Sequence, residues 1–253
     1  AGSGTAGSTD ATGTSARFNS PDHMTTDGTN LYVVDQQNNT IRKIVIATGA
    51  VTTLAGSAGS QGSTNGTGST ARFKTPRGIT TDGANLYVAD NANHTIRKIV
   101  ISTGVVTTLA GSAGSYGSTD GTGTAARFKY PYGITTDGEN LYVGDADNHK
   151  IRKIKISTGA VTTFAGSGSQ GSTDGTGTSA SFYHPYGITL DGTSLYVADR
   201  SSHKIRKISL LGTATADVEL HNLDDDTDIT VKLESSDTAE ATVAPATLTF
   251  TEA

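Results

Sequence analysis

Short apolar runs of alternating character, each closed by turn formers, recur along this chain. Gly-Ile-Thr-Thr-Asp (78 to 82), Asn-Leu-Tyr-Val-Ala-Asp (85 to 90), Thr-Ile-Arg-Lys-Ile-Val-Ile (95 to 101) and Val-Val-Thr-Thr-Leu-Ala (105 to 110) are rich in β-branched and aromatic residues. Asp-Gly, Asp-x-x-Asn-His or Ser-Thr-Gly bounds each run, so each reads as a strand ended by residues that favour turns for steric and hydrogen-bonding reasons. The set then repeats: Pro21-Asp-His-Met-Thr-Thr-Asp-Gly returns in near-copies at Pro76, Pro131 and Pro185, at spacings of 55, 55 and 54 residues. Such a period marks a supersecondary unit that cannot bury its own apolar face and is stabilised by stacking on its neighbours. Four-stranded antiparallel meanders repeated around an axis predict an all-β fold, a β-propeller with blades starting near 21, 76, 131 and 185.

Asn-His-Thr-Ile-Arg-Lys-Ile (93 to 99) and Asn-His-Lys-Ile-Arg-Lys-Ile (148 to 154), with Leu-Tyr-Val-Ala-Asp ahead and Val-Thr-Thr-Leu-Ala-Gly behind, closely resemble the NHL repeat of β-propellers. The resemblance covers roughly residues 1–210. Asn38-Asn39 and Ser202-His203 replace the name-giving Asn-His pair in the first and fourth copies. The resemblance implies a propeller; because some propellers of this type are metal-dependent lyases and others bind RNA, it also raises those two functions.

About twenty residues separate the last strand of one copy from the first of the next, which is long for a connection and calls for an explanation. Their second half, Thr-Gly-Thr-Ala-Ala-Arg-Phe in the third copy, recurs with Phe18, Phe73, Phe128 and Phe182. It is expected to form one helical turn capped by Thr, with Phe as the anchor.

The first copy opens inside such a segment and the fourth lacks a Val-Thr-Thr-Leu-Ala strand after Ile208. A closed four-bladed ring, part of a larger ring and half of a self-associating pair all fit. The start at Ala1-Gly-Ser-Gly, with no charged and apolar leader, fits a processed or excised segment.

Charge separates two regions. The net charge of −5 conceals 18 Lys and Arg against 14 Asp and Glu up to Leu210, and a single Lys232 against 10 acidic residues in 211–253. The tail therefore reads as a separate acidic unit. Its alternating segments, such as Ile229-Thr-Val-Lys-Leu, are similar to the first half of Ig-like or Calx-β-like sandwich modules of large bacterial surface proteins. A half-sandwich has unpaired edges that invite pairing with another chain, so strand exchange into a polymer is an alternative role. Absence of Cys excludes a disulfide scaffold and Cys-ligated metals. No apolar run reaches the roughly 18 residues of a membrane-spanning helix, so no membrane insertion is expected.

The first and third strands of a meander run the same way, so the segment entering strand one and the hairpin entering strand three emerge on one face. Between copies the strands barely change, whereas the residues there do. Beside each Pro stand Asn19, Ser20, Asp22 and His23; Lys74, Thr75 and Arg77; Lys129, Tyr130 and Tyr132; Tyr183, His184 and Tyr186. The hairpins carry Gln36 and Gln37, Asn91 and Ala92, Ala146 and Asp147, Arg200 and Ser201. Variable residues on a constant frame form either a binding rim or solvated drift. As a rim, Lys74, Arg77, Lys129, Tyr130, Tyr132, Tyr183, His184 and Tyr186 are foremost, and the ligand expected is a protein or a glycan.

Other candidates meet simpler readings. His94, His149 and His203 diverge from the axis in different blades, so convergence on one metal is not expected, and bonding to their own turns with Asp90, Asp145 or Asp199 is. His23 and His184 converge only if a four-bladed ring closes. Asp10, Asn65, Asp120 and Asp174, in Asx-x-Thr-Gly turns, are too sparse for a Ca²⁺ loop. Asp224, Asp226 and Asp228 are denser, and Ca²⁺ is the one cofactor candidate. The Arg-Lys pairs (42 and 43, 97 and 98, 152 and 153, 206 and 207) lie within strand three, where neighbours point to opposite faces; they form no nucleic-acid stripe and are expected to pack between blades. No Gly-x-Ser-x-Gly elbow or phosphate loop is present. The expected protein is a non-catalytic extracellular or bacterial cell-surface module, with a metal-dependent lyase as a further alternative.

Overall fold

The computed structural model describes residues 1–210, and Ala1–Ile208 forms one compact unit. Four antiparallel blades follow one another. Their first strands (Pro21–Thr26, Pro76–Thr81, Pro131–Thr136 and Pro185–Leu190) pair with the second (Asn30–Asp35, Asn85–Asp90, Asn140–Asp145 and Ser194–Asp199), and these with the third (Thr40–Val45, Thr95–Val100, Lys150–Lys155 and Lys204–Ser209). Fourth strands (Val51–Gly56, Val105–Gly111 and Ala160–Ala165) complete the first three blades; the fourth blade has three strands among the described residues. First strands of successive blades pack together, which places them innermost.

The long connections have structure of their own. Each makes a short 3-10 turn (Gly13–Ser15, Gly68–Thr70, Gly123–Ala125 and Gly177–Ser179), and Gly66–Thr67 and Gly121–Thr122 add fifth, outermost strands to the second and third blades. The expected Thr cap is missing in three copies, where Thr12, Thr122 and Thr176 offer no side-chain cap bond, while in the second Thr67 and Thr70 form a capping box. A Gly at positive φ instead starts each of those turns (Gly13, Gly123 and Gly177), a conformation costly to other residues. Three of the four anchors are as expected, with Phe73, Phe128 and Phe182 buried, whereas Phe18 is half-buried.

The core lies between blades. Tyr32, Val34, Ile41 and Ala55 of the first blade meet Ile79, Leu86, Val88, Ile99 and Val106 of the second, under Phe73. Tyr87, Ala89, Ile96 and Ala110 meet the equivalent face of the third, under Phe128. Alternation along each strand supplies both faces at once, the physical content of the period-two pattern.

One polar hub recurs in every blade. Arg97 is wholly buried and donates from Nη1 to Asp90 Oδ2 at 2.9 Å and to the Arg72 carbonyl at 2.9 Å; its Nη2 donates to the Thr64 carbonyl at 3.2 Å and to Asn65 Oδ1 at 2.8 Å. Asp90 also accepts from the Lys74 N–H and from Asn93 Nδ2. Arg42, Arg152 and Arg206 repeat the arrangement with Asp35, Asp145 and Asp199. The Arg of each Arg-Lys pair is therefore a strut that ties strand three to the connecting segment, which explains how so long a connection stays folded. The Asx-x-Thr-Gly turns close it: Oδ1 of Asp10, Asp120 and Asp174 each accepts from the guanidinium at 2.6 Å, which gives the turn's carboxylate a part in the strut. Burial pushes the carboxyls of Asp90 and Asp145 up to about 6, against the pull of their arginines.

Candidate functional site

A bulge aims the variable residues. Pairing between the first two strands slips between Pro76 and Ile79, and at the same place in the other blades, so the residue after each Pro lies in an irregular stretch. Such bulges re-aim side chains and are common beside binding sites. The four residues after Pro, one per blade, form a continuous ladder. Arg77 Nη1 donates to Asp22 Oδ2 at 2.9 Å, and its guanidinium lies 5.2 Å from the Tyr132 ring centre. Tyr132 stacks on Tyr186 at 4.3 Å and 11°, and its hydroxyl reaches Asp22 at 3.4 Å. His23 meets the edge of Tyr132, and Arg200 covers Tyr186 at 4.8 Å. All of these side chains except exposed Arg200 are half-buried.

Burial, the nearby Asp22 charge and its hydrogen bond raise the Tyr132 hydroxyl, against the opposing pull of Arg77, so it stays protonated and able to donate. The ladder thus sandwiches two stacked rings between two guanidiniums, with imidazole and carboxylate beside them. That chemistry suits hydrogen bonding and ring-edge contact with a polar ligand. It offers no nucleophile activated by a base.

The residues before each Pro do something else. Thr75, Tyr130 and His184 have left-handed backbones (φ +50°, +50° and +55°), and their N–H groups are accepted by Asn39 Oδ1 at 2.8 Å, His94 Nδ1 at 3.2 Å and His149 Nδ1 at 3.4 Å of the preceding blade. The hairpin histidines were expected to bond within their own turns; they latch onto the next blade instead, because their own left-handed backbones (φ +61° and +56°) point the rings across the joint. Burial lowers both His94 and His149, against the opposing pull of Asp147, which keeps Nδ1 free to accept.

The rim expected from sequence therefore divides. Arg77, Tyr132 and Tyr186 belong to the ladder, joined by Asp22, His23 and Arg200, which stood at the same variable positions but were not placed foremost. Tyr130, Tyr183 and His184 pack around the latch: Tyr130 meets His94 edge-on at 4.6 Å, and His149 contacts both Tyr183 and His184. Lys74 is exposed, and Lys129 lies 5.9 Å from the ring of Tyr116. Tyr116 escaped notice, although Gln61 and Gln170 at the same place mark it as variable; it is exposed beside His94. Among the described residues no three His, Asp or Glu side chains gather as metal ligands. Asp224, Asp226 and Asp228 lie outside the described residues, as do the tail's half-sandwich and its strand exchange.

No family model matches the chain. It is 32% identical over 184 residues to NHL repeat-containing protein 2 of Bos taurus, a match covering 67% of this chain and 25% of that protein. The human protein of the same name is 31% identical over an equal share. The chain is an NHL-repeat β-propeller. It spans about a quarter of the curated relatives it matches. Among solved structures, this NHL propeller is similar to an auxiliary nutrient binding protein from Bacteroides ovatus, with a TM-score of 0.61 and 26% identity over 77% of this chain and 49% of that one.

Proposed function

We propose that the chain is a non-catalytic binding and scaffold module, which takes a protein or glycan partner on the propeller face that carries the ladder. The observation that carries this reading is Asp22, Arg77, Tyr132 and Tyr186: one position per blade, on a bulge, in mutual contact, with a different chemistry in three of four copies while the hub beneath stays constant. Similarity to a nutrient-binding propeller supports it. The reading includes placement outside a bacterial cell or at its surface, supported by the Bacteroides neighbour and the tail's likeness to surface modules; fractionation that finds the protein in the cytosol would overturn that part.

The test is a glycan and peptide array probed with the wild-type chain and with the double substitution Tyr132→Ala and Tyr186→Ala. Loss of two stacked aromatic anchors is expected to weaken the hits by at least about tenfold, in the range of interface hot spots. Undiminished hits would remove the ladder from the site.

A further inference from the structure

The two ends of the blade array are the halves of a joint that the chain already makes three times. We propose that a second copy of this chain covers both ends, the fourth blade of each copy packing on the first blade of the other, so that two copies close an eight-bladed ring. The established joint is the guide, and each of its parts has an unused half at either end.

The apolar contact comes first. Ile41, Ile96 and Ile151 are wholly buried by the blade that follows, yet Ile205 at the same position is 74% exposed. On the opposite face Ile79 and Ile134 are at most 4% exposed, and Met24 in their place is 61% exposed. A hollow of about 360 Å³ between Tyr186, Ala198, His203 and Ile205 marks the surface that receives the next blade elsewhere in the array. A second hollow, of about 430 Å³, lies at the other end beside Phe18, Ser20 and Pro21.

The latch and the close approach agree. His203 has the same left-handed backbone (φ +55°) as His94 and His149, and Ser20 (φ +53°) matches the donors Thr75, Tyr130 and His184. An acceptor at one end thus faces outward with its counterpart donor at the other. A Cβ on Gly78 would sit 2.3 Å from the Tyr132 carbonyl, and one on Gly133 would sit 2.1 Å from that of Tyr186, so both are kept small by the next blade's strand. Gly187 holds that place in the fourth blade, where a Cβ would meet only Ala198 at 3.4 Å. Docked by the same geometry, Gly187 meets the Asp22 carbonyl of a second copy. Exposed Arg200, at the same end, is brought beside Asp22, which extends the ladder across the new joint with opposite charges.

Both ends differ from each other, so the contact is heterologous and would continue as a filament unless rotation closes it. Two sets of the four described blades make eight, the upper end of the usual range for propellers, so a pair is a closed solution. The inference is independent of the ligand reading, since its readout is mass rather than binding.

Mass photometry or sedimentation of the full chain is expected to give particles of twice the 25.8 kDa chain mass at micromolar concentration. Ile205→Arg and, separately, Met24→Arg should each weaken the pair by at least about thirtyfold, as for a central apolar anchor, with the circular dichroism of the blades unchanged. Mixing the two variants should restore one joint, because each retains the face the other lacks. Single chains for the wild type, open-ended polymers, or a pair that both arginine variants leave intact would overturn the proposal.

Discussion

The hub under each blade and the ladder above it are built on the same repeat, yet they obey opposite rules. Asp90, Arg97 and Phe73 recur in kind in every blade, the Asp and Arg of the first three hubs wholly buried, and the guanidinium satisfies partners on two elements at once. Any change there leaves a buried charge alone. At the ladder Asp22, Arg77 and Tyr132 differ in chemistry, because half-exposed side chains on a bulge pair with one another while water still reaches them, so no buried charge fixes their identity. Constancy follows desolvation, and variation is free where water still reaches.

The largest effect is expected at the hub. Asp90→Ala strands Arg97 without its counter-charge, since neutral Asn65 stands where other blades have an Asp, and should cost about 3–5 kcal/mol in denaturant unfolding, the range for breaking a buried pair. Ile96→Ala removes a side chain from the joint between the second and third blades and should cost about 2–5 kcal/mol. His94→Ala removes one interblade hydrogen bond and should cost roughly 1 kcal/mol. Tyr132→Ala should cost less than the joint substitutions, since its ring remains half in water; a hub-sized loss there would erase the contrast.

The pH dependence sharpens the same comparison. Burial lowers His94 and His149, so the stability their neutral rings contribute is complete above the unfolded value of about 6.5 and is lost as pH falls through the folded values. Asp90 and Asp145, raised to about 6, act the other way: their contribution is present at low pH and lost as pH rises through about 6. The double substitution His94→Asn and His149→Asn copies the latch that Asn39 already forms and should remove the histidine part, so that the melting temperature falls less, or rises more, from pH 7 to pH 5 than in the wild type. At lower pH, Asp82 and Asp137 matter. Burial alone would raise them, but hydrogen bonds from Asn85, Tyr87, Asn140 and Tyr142 hold them low, so the stability they give is lost as pH falls below about 4.

Strands and the four repeats were legible because alternation and turn residues are local signals, whereas ring closure was not, because it depends on contacts between distant blades. Phe73 was legible as an anchor because a lone aromatic recurs in a polar segment. The strut was not: Asp10 and Arg42 look unrelated until it is noticed that the same 32-residue interval joins Asn65 to Arg97, Asp120 to Arg152 and Asp174 to Arg206. That interval was a readable signal for the partnership, though not for its burial. His94 was misassigned for a similar reason, since a left-handed hairpin residue reaches across the joint only once the next blade is in place. The bulge at Arg77 leaves no mark in the sequence, and so the ladder emerged from a list of variable residues only in three dimensions.

The most direct test of the division between frame and face is to follow one protein by two readouts, carrying both Tyr132→Ala and Tyr186→Ala. The hub governs folding and the ladder governs recognition, so array binding should fall by at least about tenfold while the melting temperature drops by less than it does for Ile96→Ala. Binding that survives, together with a melting temperature that collapses, would show the stacked tyrosines to be part of the frame.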